Sequence, residues 1–134
     1  MLPRCRKHGL STLTYMTLEQ GLLTGKVTMD TVFEEGDFRS NAAWNPWYLA
    51  SNRPQVLAML EGWKRSICEE HRCSLAQLAL AWTLAQDGIT HVLAGARRPG
   101  QIADTAAAAD IELAPETLAA MEADLKALGT PEEE

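Results

Sequence analysis

The segment Gly95-Ala96-Arg97-Arg98-Pro99-Gly100-Gln101 lies between a short apolar run and a helix-like stretch. A glycine there lets backbone approach a ligand, a helix start offers unpaired N–H groups, and two arginines add planar donors that match phosphate oxygens. The chemistry is anion binding, with a phosphate as the natural occupant. A plain turn with two solvated arginines is the alternative. Arginine at a helix start opposes the helix dipole, a cost that a bound anion would remove, and this favours the site.

A second cluster is Cys68-Glu69-Glu70-His71-Arg72-Cys73. Cys68 and His71 share a helical face and Cys73 could fold back towards them, but a fourth ligand is missing and Cys5 is distant in sequence. The segment reads as a helix end with ordinary side chains, and no metal is expected. His91 stands in an apolar run without an identifiable partner, so it reads as a core or interface histidine rather than a base. His8 sits where a helix C-terminus favours a cation. Gly21-Leu22-Leu23-Thr24-Gly25-Lys26 lacks the spacing of a phosphate-binding P-loop, and neither a nucleophile triad nor a G-x-G-x-x-G motif occurs. No catalytic residue is assigned.

The elements that must position these residues follow from pattern. Residues 1–8 read as the end of a helix stopped at Gly9. Leu10 to Met16, rich in β-branched residues, predicts a strand. From Lys26 to about Asn52 no period is sustained, and the stretch carries Gly36, Pro46, Trp44, Trp47 and Tyr48. A loop this long is uncommon and is a candidate lid, although its aromatics serve equally well to pack it onto the body. Asn52-Arg53-Pro54-Gln55 resembles a capping box, followed by Val56, Leu60, Trp63 and Ile67 at helical spacing. Ser74 to Gln77 repeats the cap, with Leu75, Leu78, Ala79 and Trp82 as its stripe, and that helix is expected to end near Gly88. Ile89 to Ala94 predicts a second strand, 99–109 a further helix, and Pro115 to Gly129 a last helix with Leu118, Met121 and Leu125 on its buried face.

Strands separated by helices imply a parallel pair and an α/β unit. Two strands leave two unpaired edges, which must be covered by helices, by another copy or by a larger whole. The 134 residues carry 46% hydrophobic and 22% charged residues, an ordinary globular composition. A closed (β/α)8 barrel needs about 250. With 12 basic and 18 acidic residues the net charge is −6. That argues against a nucleic-acid binder, which needs a concentrated basic face. No apolar run is long enough for a membrane span, and three irregularly placed cysteines fit a reducing compartment, so a soluble cytoplasmic chain is expected.

Four segments in order, Tyr15-Met16-Thr17-Leu18-Glu19-Gln20-Gly21-Leu22-Leu23-Thr24-Gly25-Lys26, Gly36-Asp37-Phe38-Arg39, Ala79-Leu80-Ala81-Trp82-Thr83-Leu84-Ala85-Gln86, and Gly95 to Gln101, resemble the C-terminal part of an aldo-keto reductase. The resemblance covers nearly the whole chain. It implies the C-terminal part of a (β/α)8 barrel, with two parallel strands and about five helices over residues 1–129, and an acidic tail at 130–134. It further implies a carbonyl reductase using NADPH. On that resemblance Tyr15 matches the aromatic that stacks on the nicotinamide ring, and Leu18, Gly21, Leu22 and Thr24 match the loop over the pyrophosphate. Gly95, Ala96 and Arg97 match the turn at the adenosine 2′-phosphate, Gln101 a residue helping at the adenosine end, and Asp104-Thr105 a pair near the adenine. The family has Ser-Pro where this chain has Met16-Thr17, a proline where Ala94 stands, and an asparagine where Thr105 stands.

The family's catalytic tyrosine, lysine, aspartate and histidine belong to earlier strands, and Tyr15 and Tyr48 have other places. The expectation is therefore a cofactor-clamping portion, from a truncated or split gene, that is inactive unless a complementing barrel fragment joins it. The alternative is a non-catalytic module that forms homo-oligomers through its strands and binds a nicotinamide dinucleotide or another anion.

Overall fold

The structure is a computed structural model that describes residues 1–41 and 44–132. Glu133 and Glu134, the end of the expected acidic tail, lie outside the described residues. Helix α1 (Leu2–Lys7) opens the chain and stops where Gly9 takes φ +62°. It is held to the far side of the fold by the Arg6–Asp87 ion pair and by Gly88, whose hydrogen faces Leu2.

Strand β1 (Leu13–Thr14) pairs in parallel with β2 (His91–Val92), Leu13 opposite His91 and Thr14 opposite Val92. Both are far shorter than the runs that predict them. On one side, threonine hydroxyls replace ladder bonds: Thr90 Oγ1 donates to the Thr12 carbonyl (2.6 Å) and Thr12 Oγ1 to the Gly88 carbonyl (2.6 Å). On the other, Met16 takes φ +58° and turns the chain off the ladder. Leu13, Tyr15, His91 and Leu93 stand exposed on alternate positions, so His91 is a surface histidine and not a core one; its Nδ1 meets the Thr90 hydroxyl at 3.0 Å.

Helix α2 (Arg53–Trp63) runs through a π turn (Lys64–Cys68) into α3 (Glu69–His71), so α2 and α3 are one helical run. Val56, Leu60 and Trp63 are buried, as their spacing predicts. The cap is not as predicted. Asn52 has helical dihedrals and makes no capping bond; its side chain is 0% exposed and reaches instead to Pro46 and Glu132. Helix α4 (Leu75–Leu84) does carry its capping box, with both Ser74–Gln77 bonds formed. It ends earlier than expected, ahead of Gly88, and buries Leu80 and Ala81 as well as Leu75, Leu78 and Ala79, so it is the central helix rather than one with a single stripe. Helix α5 (Gln101–Ala106) continues as a 3-10 turn to Asp110, and α6 (Pro115–Leu128) closes the core with Met121, followed by Gly129 at φ +72°. Counting α2–α3 once, five α-helices accompany two parallel strands among the described residues, which is the architecture the sequence predicts. No helix among the described residues is long and apolar enough to cross a membrane.

Candidate functional site

Both strands deliver their C-terminal ends to one cleft of about 900 Å³. Three segments wall it: the loop after β1 from Met16 to Val27, the stretch Thr31–Arg39, and the loop after β2 from Leu93 to Arg98 with Gln101. Ligands of open parallel sheets and barrels sit at such strand ends.

The first wall is held in an unusual backbone shape. Met16, Glu19 and Gln20 have φ of 58°, 47° and 56°, followed by Gly21 at 105°. Each non-glycine residue in that region costs on the order of 1 kcal/mol and persists only where neighbours over-determine it. Here the buried Tyr48 donates its hydroxyl to the Glu19 carbonyl (3.1 Å), and the buried Asn45 donates Nδ2 to Glu19 Oε1 (2.8 Å). Thr24 Oγ1 donates to the Gly21 carbonyl (2.6 Å), tying the end of the loop to its middle. Burial pushes the Glu19 carboxyl above its ordinary range, with the Asn45 bond opposing it. The aromatic Tyr48 of the long loop therefore packs, whereas Trp44 is exposed.

The second wall centres on Arg39. Its Nε donates to both Asp37 oxygens (2.9 and 3.1 Å), the Asp37 side chain accepts from the Arg39 N–H (3.0 Å), and the guanidinium lies 4.5 Å from the centre of the Phe33 ring. Those bonds hold the Asp37 carboxyl well below its usual value, at about 2. Behind Phe33, Arg53 donates to the carbonyls of Thr28, Met29, Thr31 and Tyr48, which fixes this stretch to the start of α2.

The third wall is the glycine–arginine turn. Gln101 folds back so that its Oε1 accepts from the N–H groups of Arg97 (2.7 Å) and Arg98 (2.9 Å). The backbone donors are thus engaged, and the arginine side chains, both exposed, are what the turn offers to an anion. Nothing stands within 4 Å of where a Gly95 side chain would begin.

Of the residues singled out in the sequence, Leu18, Gly21, Thr24, Gly95, Ala96, Arg97 and Gln101 line this cleft. Tyr15 does not, and stands 73% exposed just before it. Leu22 is 1% exposed and anchors the first loop in the core. Asp104 and Thr105 lie on α5 outside the cleft wall: the Asp104 carbonyl accepts from Gln77 Nε2 (2.8 Å), and Thr105 Oγ1 donates to the Gln101 carbonyl (2.8 Å). The cleft also takes in Gln20, Lys26 and Arg39, which the sequence marks only as parts of the segments that carry the resemblance, and Phe33, which no motif marks. The local signal for the second wall is Asp37-x-Arg39, an acid and an arginine two apart. Among the described residues the cleft wall contains no tyrosine and no histidine, and no group of three or more potential metal ligands occurs.

Residues 1–125 match the Aldo/keto reductase family. The chain is 40% identical over 113 residues to an NADH-specific methylglyoxal reductase of Escherichia coli, covering 84% of this chain and 33% of that protein. It is 33% identical over 121 residues to an aldo-keto reductase of Strobilurus tenacellus (90% of this chain, 35% of that protein). A probable voltage-gated potassium channel subunit beta of Arabidopsis thaliana is 32% identical over 113 residues (82% and 33%). The chain thus spans about a third of the length of the curated relatives it matches. In three dimensions it superposes on a glycerol dehydrogenase of Gluconobacter oxydans, a (β/α)8 barrel, with TM-score 0.85 and 30% identity, over 99% of this chain and 39% of that one. This chain belongs to the aldo/keto reductase family.

Proposed function

We propose that this chain is the cofactor-holding portion of an NAD(P)H-dependent carbonyl reductase, and that the cleft takes a nicotinamide dinucleotide. The carrying observation is a cleft at the strand ends with Lys26, Arg39, Arg97 and Arg98 against Glu34 and Asp37, on a chain whose overall charge is −6. Its size suits a ligand of this class, since ligand clefts run to about 1,000 Å³. Gln20 Oε1 is buried in the wall without a hydrogen-bond partner among the described residues, and a hydroxyl or amide donor of the dinucleotide supplies one.

In this reading Leu18, Gly21 and Thr24 hold the pyrophosphate segment, with Leu22 as the anchor of their loop. Arg97 and Arg98 hold the phosphate at the adenosine end, Gly95 and Ala96 leave room for close approach, and Gln101 fixes the turn. Asp104 ties α5 to Gln77 and Thr105 ties it to Gln101, which keeps Gln101 in place. The exposed Tyr15 ring stacks on the nicotinamide. When bound, the cofactor supplies a hydride to a carbonyl carbon. The cleft wall offers no tyrosine to donate the accompanying proton, so the general acid comes from other strands of the barrel, and this portion alone does not turn over.

A fluorescence titration with NADPH and NADH tests the reading. Saturable NADPH binding is expected, weakened in Arg97→Ala by about 10–100-fold, the value of a charge-assisted hydrogen bond. NADH binding should change little, because it lacks the 2′-phosphate that Arg97 reaches. Equal losses would remove Arg97 from the phosphate, and no saturable binding of either dinucleotide would overturn the assignment of the cleft. Turnover of an aldehyde by the chain alone would refute the missing acid.

A further inference from the structure

The end of α3 carries a pair of thiols outside the cleft. Arg72 takes φ +51°, its N–H donates to the Glu69 carbonyl (3.3 Å), and the Cys73 N–H donates to the Cys68 carbonyl (3.0 Å). These two bonds define a Schellman motif, in which the residue after the left-handed one folds back on the residue five positions earlier, and their side chains make contact. That contact is ordinarily apolar. Here both positions are cysteine, both thiols are free, and they are close enough for each to shift the other's titration. The environments differ: Cys68 is buried in the core beside Trp63, while Cys73 is half-buried at its edge.

We propose that Cys68 and Cys73 form a redox-active dithiol that exchanges with low-molecular-weight disulfides, such as glutathione disulfide, to give an intramolecular disulfide. Cys73, the accessible sulfur, attacks one sulfur of the incoming disulfide as the thiolate, having lost its proton to solvent, and expels one glutathione thiolate. Cys68 then loses its proton, attacks the Cys73 sulfur of the mixed disulfide and expels the second glutathione. Two protein thiols are oxidised and one glutathione disulfide is reduced to two thiols. The roles follow from position, because a bulky disulfide reaches Cys73 and not Cys68, and the motif already holds Cys68 next to the sulfur it must attack. Burial raises both thiols, Cys68 to about 12, and the Cys68 neighbour opposes the rise only at Cys73, so Cys73 is the less strongly shifted of the two. The new bond joins the end of α3 to the residue before Ser74, the cap of α4.

Arg72 lies between the two cysteines, so trypsin cuts between them and the disulfide is read directly. The chain is incubated with glutathione disulfide, remaining thiols are blocked in denaturant, and the tryptic peptides are mapped. Peptides 66–72 and 73–97 should remain joined, separate on reduction, and carry no glutathione. Cys68→Ala should instead retain one glutathione on Cys73. In Cys73→Ser the folded chain should leave Cys68 unmodified, with reaction appearing only in urea. Glutathione retained on Cys73 while Cys68 is intact would overturn the proposal, as would both thiols remaining free or a disulfide joining two chains.

Discussion

Asn52 separates two accounts of the same local sequence. Followed by Arg53-Pro54-Gln55 it has the signature of a helix cap, and as a cap it would be replaceable by Asp or Ser at little cost, with Ala costing about 1 kcal/mol. The structure makes it a clamp instead. Its Nδ2 donates to the carbonyls of Pro46 and Glu132, both at 2.9 Å, and its Oδ1 accepts from the Glu132 N–H at 3.0 Å. Asn52→Ala removes all three. Glu132 is exposed and regains water, so its two bonds cost about 1 kcal/mol each, while the half-buried Pro46 carbonyl keeps the Leu49 N–H at 3.0 Å but loses its second donor, for about 1 kcal/mol more. The sum, about 3 kcal/mol, is a large part of a domain's stability. Asn52→Asp keeps the acceptor but turns a carboxylate oxygen towards two carbonyl oxygens in a site with no solvent exposure, so it should cost at least as much as Ala. Urea unfolding followed by tryptophan fluorescence gives the ranking. In a chain ending at Pro131 the Ala substitution should cost less, because part of what it removes is already gone. If Asn52→Asp unfolds within about 0.5 kcal/mol of the parent, the clamp is wrong and residue 52 is an ordinary cap.

Two further predictions concern the cleft. Gly25→Ala should destabilise by about 2 kcal/mol, from its left-handed φ of +70° and from a new Cβ 2.7 Å from Leu75 Cδ1, which the Leu75 side chain must move to relieve. Gly36→Ala, at φ +86° with open space around it, should show only the first effect; equal shifts in the urea midpoint would mean that Gly25 does not pack on α4. Asp37 should titrate near 2 rather than at its ordinary 3.8. Its folded value is the lower one, so the stability it contributes is present above the unfolded value and is lost as pH falls towards 2. Carboxyl NMR with Arg39→Ala as the control checks this, and a midpoint of 3.8 in the parent would refute the pairing.

What the sequence makes legible is whatever is settled within a turn or two. Ser74 and Gln77 cap α4 because donor and acceptor are three residues apart, and the turn from Gly95 to Gln101 is closed within itself by Gln101 on the Arg97 and Arg98 N–H groups. The same locality misreads Asn52, whose partner Glu132 is 80 positions away. It also overextends the strands, because a β-branched run looks the same whether its threonines face a core or bridge to the neighbouring chain segment, as Thr12 and Thr90 do. The Thr31–Arg39 wall is legible only at its end, where Gly36 to Arg39 is one of the resembling segments; the rest has no period of its own, and its course is set by Arg53 binding carbonyls more than twenty residues earlier and by two guanidinium groups near the Phe33 ring.

A net charge of −6 argues against a broad basic face, and exposed helices carry part of it, as at Glu69, Glu70, Glu116 and Glu122. The cleft inverts that sign. Asp37 lies against Arg39 and the two largely cancel, so Lys26, Arg97 and Arg98 face the space with Glu34 as their only acidic counterweight among the described lining residues. Arg97 also lies near enough to Asp37 to help hold its carboxyl down, so the charge of this cleft is set by Lys26, Arg39, Arg97 and Arg98 together against two carboxylates. The basic character of the cleft on an acidic chain is a consequence of where the loops place four basic side chains, and it is what the proposed anion site rests on. Composition alone, which averages them away, points in the opposite direction.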